Sequence, residues 1–261
     1  MSNTIRWGKI HGLSYSPETN LTGTAAAPSF SNTKSVRFDG IDDFCVTAST
    51  YSALDGVTKA SFSMWINPTS SSTTLRTVFQ IGDGSSSDVN GVCQLFLFQG
   101  SRLDFSVDSG STFLRANINS LTYGSWNHLL ISIDLDANTF KFYVNGVDET
   151  TFQNLGNTHS FPTATEGLYI GEFATGHYTP FLGAIDEFAI WSGTALTSSD
   201  VTAIYNSGAP NDLNNNGLTA PTTYFRMGDG DTFPTLQDTN GSADLTMTNM
   251  TSGNIVTDVP T

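Results

Sequence analysis

Two adjacent carboxylates, Asp186 and Glu187, interrupt the apolar run "GAIDEFAIW". Neighbouring acids of this kind can serve as an acid/base pair, as metal ligands or as framework groups. In a regular strand Asp186 shares a face with Phe188, while Glu187 points to the opposite side of the sheet. Glycosidases hold two carboxyl groups about 5 Å or about 6.5–9.5 Å apart around one bond. The alternation therefore predicts that this pair is not catalytic and that the protein is not an enzyme.

Asp186 shares its predicted face with apolar residues, so a charged Asp186 needs hydrogen bonds or a metal ion. The segment "FDGIDD" supplies Asp39, Asp42 and Asp43, and Asp42 is in phase to approach Asp186. Carboxylate oxygens converging in this way suit Ca²⁺, so Asp39, Asp42 and Asp186 are the predicted metal ligands. The alternative is that Asp186 and Asp39 accept backbone N–H groups and hold the first and last strands together.

A second acidic motif, "DLNNNG" from Asp212 to Gly217, matches the first half of a calcium loop. Position twelve would be Thr223 instead of the bidentate Glu that completes such a site, which favours a plain turn.

Two loops have the composition of a sugar-binding rim, with aromatic rings beside small polar residues. The predicted ligand-binding residues are Phe173, His177, Tyr178, Asp88 and Asn90. The alternative for "FATGHYTPF" is that Tyr178 and Phe181 cover an edge of the fold. His128, within a strand pattern, is predicted to be a packed histidine.

Composition excludes several partners. Ten basic and 24 acidic residues give a formal net charge of −14, with no basic cluster for nucleic acid or an anionic membrane. The same acidity favours a bound cation. The N-terminal sequence has no apolar segment of signal-peptide length, and Cys45 and Cys93 are expected to be reduced.

The elements that must position these residues are short strands separated by turn residues, with no helical crossovers, as in an antiparallel sandwich. "LTSSDVTAIYNSG" is the one helix pattern, capped by Thr197 or Ser198 and ended by Gly208. We expect a peripheral arm over residues 1–30, a sandwich over 31–208, and a tail over 209–261 that packs on the sandwich or on a partner chain.

Six segments occur in an order and spacing that resemble a laminin-G-like domain of the concanavalin A-like lectin/glucanase type. They are "SVRFDGIDDFCVTA", "ASFSMWINP", "TVFQIGDG", "SWNHLLISID", "FKFYVNGV" and "GAIDEFAIWSGTALTSSDVTAIYNSG". The resemblance implies an all-β fold, a two-sheet antiparallel jelly-roll sandwich with one short helix and extended terminal arms. It also implies carbohydrate or protein ligands, with calcium in many members of the family. The same sandwich carries many functions, so the fold alone does not choose among them.

The segment after residue 208 is similar to segments that follow such domains in bacteriophage structural proteins. This resemblance implies a non-enzymatic virion component, either a capsid decoration or part of a tail or head fibre, expected to bind glycans. Its partners would be other virion proteins, further copies of itself and a cell-surface glycan. It would be assembled in the host cytoplasm and exposed to the medium. The alternatives are a secreted or surface lectin-like adhesion protein and, less favoured, a polysaccharide-degrading enzyme.

Overall fold

The computed structural model of the chain describes residues 30–69, 75–82, 92–98, 102–107, 112–117, 121–154, 159–172 and 179–261. Within these ranges the chain forms seventeen strands and one α-helix. The strands are β1 (Ser35–Asp39), β2 (Phe44–Thr47), β3 (Lys59–Pro68), β4 (Arg76–Ile81), β5 (Cys93–Phe98), β6 (Arg102–Val107), β7 (Thr112–Asn117), β8 (Asn127–Asp134), β9 (Thr139–Val144), β10 (Val147–Asp148), β11 (Thr150–Asn154), β12 (Leu168–Ile170), β13 (Leu182–Ser192), β14 (Thr223–Phe225), β15 (Thr235–Leu236), β16 (Leu245–Thr248) and β17 (Ile255–Val256). The helix is α1 (Ser198–Tyr205).

The strands build two sheets, and every pairing between named strands is antiparallel. The first sheet has the order β10-β9-β8-β3-β13-β1-β17, with β14 also paired to β13. The second has the order β11-β7-β6-β5-β4-β12-β2-β16-β15. The prediction of an all-β jelly-roll sandwich with one short helix is confirmed.

The main core lies between the two sheets and follows from the alternation of apolar residues along their strands. Phe62 of the first sheet stacks on Phe79 of the second, with ring centroids 5.3 Å apart. Phe105 contacts both rings, at centroid distances of 5.2 and 6.2 Å, and Phe188 contacts Phe79 at 5.2 Å. Such aromatic pairs add to the free energy gained by burying their large apolar area.

A second, smaller apolar cluster covers the outer face of the first sheet. Trp191 and Ala189 of β13 pack there with Val201 and Ile204 of α1, and Leu213 follows from the next segment. Thr197 caps α1 in a capping box with Asp200, as one of the two predicted caps. The helix ends before Asn206, which adopts a left-handed conformation, two residues earlier than the predicted stop at Gly208.

The sandwich does not end at residue 208. Strands β14 and β17 extend the first sheet, and β15 and β16 extend the second. Four short strands between residues 223 and 256 thus belong to the chain's own sheets, whereas the sequence predicted an extended tail that packs on the sandwich or on a partner chain. Their strands are only two to four residues long and gave little periodic signal. No helix in the described ranges is long and apolar enough to span a membrane.

Candidate functional site

The two carboxylates of β13 lie at a β-bulge. Asp186 pairs with Trp65 and Ala189 with Ser63, so three steps along β13 match two steps along β3. Glu187 adopts a positive φ of 48° at this point. The extra residue shifts the phase, and Ile185 and Phe188 therefore both enter the main core although they are three positions apart. The predicted opposite orientation of Asp186 and Glu187 is wrong: both carboxylates lie on the outer side of the first sheet.

Each buried carboxylate has partners of its own. Asp186 accepts hydrogen bonds from Asn32 Nδ2 at 2.9 Å and from the Glu187 backbone N–H at 2.8 Å. Glu187 accepts hydrogen bonds from the Tyr224 hydroxyl and from two nitrogens of the Arg226 guanidinium at 3.1 and 3.2 Å. Arg226 also contacts Asp229 at 3.4 Å. We refer to Asn32, Asp186, Glu187, Tyr224 and Arg226 as the bulge network.

Burial dominates the ionisation of this pair. It raises the pKa of Asp186 well above its usual range, and repulsion from Glu187 adds to the effect. Burial also raises the pKa of Glu187 to about 7, although Arg226 and the Tyr224 hydroxyl favour the ionised form. A raised pKa next to a second carboxyl is a common property of catalytic acids, so access has to decide between catalysis and framework.

Access to Glu187 is narrow. Glu187 is only 2% exposed, and Ile204 and Leu213 line a small cavity beside it. The cavity beside it measures about 10 Å³, roughly the room that one water molecule needs. A polysaccharide chain does not fit there, so in this conformation the two acids cannot flank a glycosidic bond.

The predicted metal ligands are not all brought together. Asp39 and Asp42 come together with Asp43 in the turn between β1 and β2, where their carboxylate oxygens lie within 4.8 Å of one another. Asp186 is absent from this group. Asp39 pairs with Leu182 while Asp186 lies four residues further along β13, so strand register separates them.

The turn already supplies partners for two of its three acids. Asp43 is buried and accepts from the Asp39 backbone N–H at 3.0 Å and from Asn254 Nδ2 at 2.9 Å. Asp39 accepts from the Ile41 backbone N–H at 2.8 Å. Burial raises the pKa of Asp43, and repulsion from Asp39 adds to the shift. Asp39 and Asp42 are exposed, and their oxygens are of the kind that hold Ca²⁺.

The predicted sugar-binding residues Phe173, His177, Tyr178, Asp88 and Asn90 lie outside the described residues. Their neighbour Phe181 is fully buried and contacts Phe38 edge-to-face, so it belongs to the main core instead of covering an edge.

Two further predictions concern single motifs. His128 is fully buried, bonds Ser63 Oγ through Nε2 at 2.8 Å, and has its pKa lowered by burial to about 3, as a packed histidine. Asp212 accepts from the Asn214 backbone N–H at 3.0 Å and from Asn215 Nδ2 at 2.7 Å. The "DLNNNG" motif is therefore closed on itself as a turn.

An open groove lies where β9, next to the short edge strand β10 of the first sheet, faces β11, the edge strand of the second sheet, and no sequence-based prediction included it. Residues 138–141 and 150–153 line this β9–β11 groove, which encloses about 450 Å³. Phe152 is 45% exposed, and the Arg115 guanidinium lies 5.0 Å from its ring centroid. "ETTFQN" carried the signal, because an aromatic among hydroxyl and amide residues fits poorly on a solvated edge.

Comparisons with known proteins agree with this architecture. Residues 39–202 match the family model described as the concanavalin A-like lectin/glucanases superfamily. A search of curated proteins finds no match.

Solved structures share the fold at low identity. A candidate carbohydrate-binding protein from Bacteroides ovatus matches with a TM-score of 0.64 and 19% identity over 88% of this chain, which spans 62% of that protein. A heptameric SAP-like pentraxin from Limulus polyphemus matches with a TM-score of 0.52 and 17% identity. That match covers 67% of this chain and 82% of the pentraxin chain.

The carbohydrate-binding module CBM40 of a Ruminococcus gnavus sialidase, bound to α2,3-sialyllactose, matches with a TM-score of 0.53 and 13% identity. That match covers 67% of this chain and all of the module. At such identities these structures establish the fold and nothing more. The family match, which covers more than half of the sequence, shows that the chain belongs to the concanavalin A-like lectin/glucanases superfamily.

Proposed function

We propose that this chain is a non-catalytic, lectin-like domain that binds carbohydrate. The observation that carries the proposal is the burial of Asp186 and Glu187, which removes the pair of acids on β13 from contact with a polysaccharide. Similarity to a candidate carbohydrate-binding protein and to a sialidase's carbohydrate-binding module supports the choice of ligand. Since these two acids stabilise the interior of the sandwich, its loops and sheet edges are the parts that can bind a ligand.

Binding and hydrolysis are separated by one pair of measurements. The purified chain is applied to a glycan array and is then incubated with the retained glycans while the release of reducing ends is followed. We expect retention without release. Release that Glu187→Gln abolishes would instead assign hydrolysis to the bulge network, and an empty array would refute carbohydrate binding.

The predicted rim residues Phe173, His177, Tyr178, Asp88 and Asn90 remain one proposed location for this ligand, on the basis of their composition. Bound Ca²⁺ at the β1–β2 turn also remains a proposal, now with Asp39 and Asp42 beside Asp43 instead of Asp186. Repeating the glycan array in EDTA tests the two proposals together. If bound Ca²⁺ shapes the sugar-binding loops, fewer glycans should be retained in EDTA.

We further propose that the domain belongs to a bacteriophage particle, as a capsid decoration or part of a tail or head fibre, in several copies. The resemblance of the segment after residue 208 to phage structural proteins supports this assignment. Because β14, β15, β16 and β17 belong to the chain's own sheets, contacts with other virion proteins would use the exposed surface of residues 209–261.

Cross-linking of intact particles followed by mass spectrometry tests that placement. We expect cross-links between residues 209–261 and other virion proteins. A chain that does not sediment with particles would favour the alternative, a secreted or surface adhesion protein.

A further inference from the structure

We infer that the β9–β11 groove binds a neutral oligosaccharide, with Phe152 as the platform for a sugar ring. The inference rests on the proposed carbohydrate-binding function and names a site for it that lies apart from the predicted rim loops. The groove volume of about 450 Å³ falls within the range of small-molecule pockets.

The aromatic platform is held in place before any ligand arrives. Phe152 pairs with Arg115 across β11 and β7, and the guanidinium lies over its ring. Arg115 in turn lies 3.2 Å from the nearly buried carboxylate of Asp104, which also accepts from Arg102 at 2.8 Å. Asp104 thus orients the side chain that orients the ring. An aromatic fixed in this way loses little conformational entropy when a sugar stacks on it.

The rest of the lining offers hydroxyl and amide groups that suit sugar hydroxyls. Thr139, Thr151 and Gln153 are exposed along the groove, and so is Asn138 at its end. Among the described residues, Asn138 and Gln153 have no hydrogen-bond partner for their side-chain amides. A few convergent polar groups around an apolar surface are the usual composition of a ligand site.

Charge selects a neutral ligand over an acidic one. Lys141 contributes the cation of the groove lining, and its Nζ lies 2.6 Å from the Asp148 carboxylate. Arg115 is paired with Asp104. Each of these cations is therefore paired with a carboxylate, with Asp104 shared between Arg102 and Arg115, and the net charge of −14 disfavours anionic sugars.

Strand addition by an extended peptide is limited on the β9 side, because residues 142–144, which continue from the groove lining, are already paired within the chain. The backbone N–H of Phe142 donates to Thr150 Oγ1, and its carbonyl accepts from the Glu149 N–H. Val147 and Asp148 pair with Val144 and Tyr143. Addition of a strand needs free backbone groups, which this stretch of β9 does not offer.

The test uses the full chain and five hexasaccharide probes, namely β-1,4-glucan, β-1,4-xylan, β-1,4-mannan, α-1,5-arabinan and the acidic oligogalacturonate. Binding is followed by ¹H–¹⁵N NMR and calorimetry for the native chain, Phe152→Leu, Phe152→Trp and Phe233→Leu. Phe233 is the matched control, because it is an exposed aromatic that does not line the groove. Thermal unfolding verifies that each variant is folded.

We expect at least one neutral probe to shift the amides of residues 138–141 and 150–153. Phe152→Leu should weaken its binding about tenfold, while Phe152→Trp and Phe233→Leu should bind within about twofold of the native chain. Preference for oligogalacturonate, or shifts elsewhere with Phe152→Leu unchanged, would overturn the groove assignment and leave the proposed function standing. Failure of every probe, together with an empty glycan array, would refute both.

Discussion

The molecule carries two groups of acids that differ in burial, one on β13 and one in the β1–β2 turn. Asp186 and Glu187 are buried and are tied to Asn32, Tyr224 and Arg226. In the turn Asp43 is buried, but Asp39 and Asp42 extend into solvent. The same side-chain chemistry therefore serves as internal framework in one place and remains available to a cation in the other. Burial and hydrogen-bond partners decide between these two roles, because an enclosed carboxylate is stable only when it is neutralised or hydrogen-bonded.

The difference also indicates where a ligand can reach this sandwich. The outer face of the first sheet is occupied by α1 and the segment around Leu213. The β9–β11 groove, at the edge of both sheets, is open. Recognition is thus expected at edges and loops, while the acids of β13 stabilise the centre of the sheet.

The largest effect is expected from removing the central acid of the bulge network. Glu187→Ala leaves the Tyr224 hydroxyl and the Arg226 guanidinium without their carboxylate, and we expect a loss of about 3 kcal/mol in the free energy of unfolding. Glu187→Gln keeps one acceptor oxygen, which can serve the Arg226 guanidinium, and turns its amide NH2 towards the Tyr224 hydroxyl oxygen, so it should cost about 1–2 kcal/mol, less than Glu187→Ala. Urea denaturation measures both, and two variants within about 0.5 kcal/mol of the native chain would contradict a framework role.

The next effect concerns the buried acid of the turn. Asp43→Ala removes the acceptor for the Asp39 N–H and for Asn254, with an expected loss of about 1–3 kcal/mol. Asp42→Ala, at an exposed neighbour, is the matched control and should change stability by no more than about 0.5 kcal/mol. Equal losses for the two variants would mean that burial does not distinguish these acids.

The ease of prediction differed between the fold and the site for physical reasons. Regular alternation in "ASFSMWINP" and the other core strands, and the capping sequence before α1, were readable because each rests on local periodicity. The orientation of Glu187 could not be predicted in this way. One bulge residue inverts the phase of a strand, and the bulge arises only from the pairing of β13 with β3. Arg226 and Tyr224 lie about 40 residues away from Glu187 in sequence, and only the pairing of β14 with β13 brings them to it.

The third effect is a pH dependence of stability that comes from the enclosed acids of β13. The pKa of Glu187 is about 7 in the folded chain against an ordinary value of 4.5, so the folded state binds more protons between these limits. Its contribution to stability is present in full below about pH 4.5, falls as the pH rises towards 7, and levels off above that. The raised pKa of Asp186 acts in the same direction.

Glu187→Gln isolates that contribution. The native chain should lose stability relative to the variant by at most about 1.4 kcal/mol per pH unit between pH 5 and 7. Denaturation of both proteins at pH 5, 6, 7 and 8 gives the difference. Parallel stability curves would show that Glu187 does not titrate in this range.

The smallest expected effect tests the exposed acids for calcium. A site with a dissociation constant near 1 mM, as in many extracellular modules, would raise stability by about 1.4 kcal/mol in 10 mM CaCl₂. We expect this gain in the native chain and its loss in the double variant Asp39→Asn, Asp42→Asn, in which both side chains remain hydrogen-bond acceptors. Asp212→Asn is the control. Asp212 lies in a calcium-like sequence, but its carboxylate already accepts hydrogen bonds from Asn214 and Asn215 of the same turn. Since added salt also screens a net charge of −14, KCl at the same ionic strength must give a smaller gain. An equal gain in KCl, or in the double variant, would show general screening and leave the turn acids without a metal.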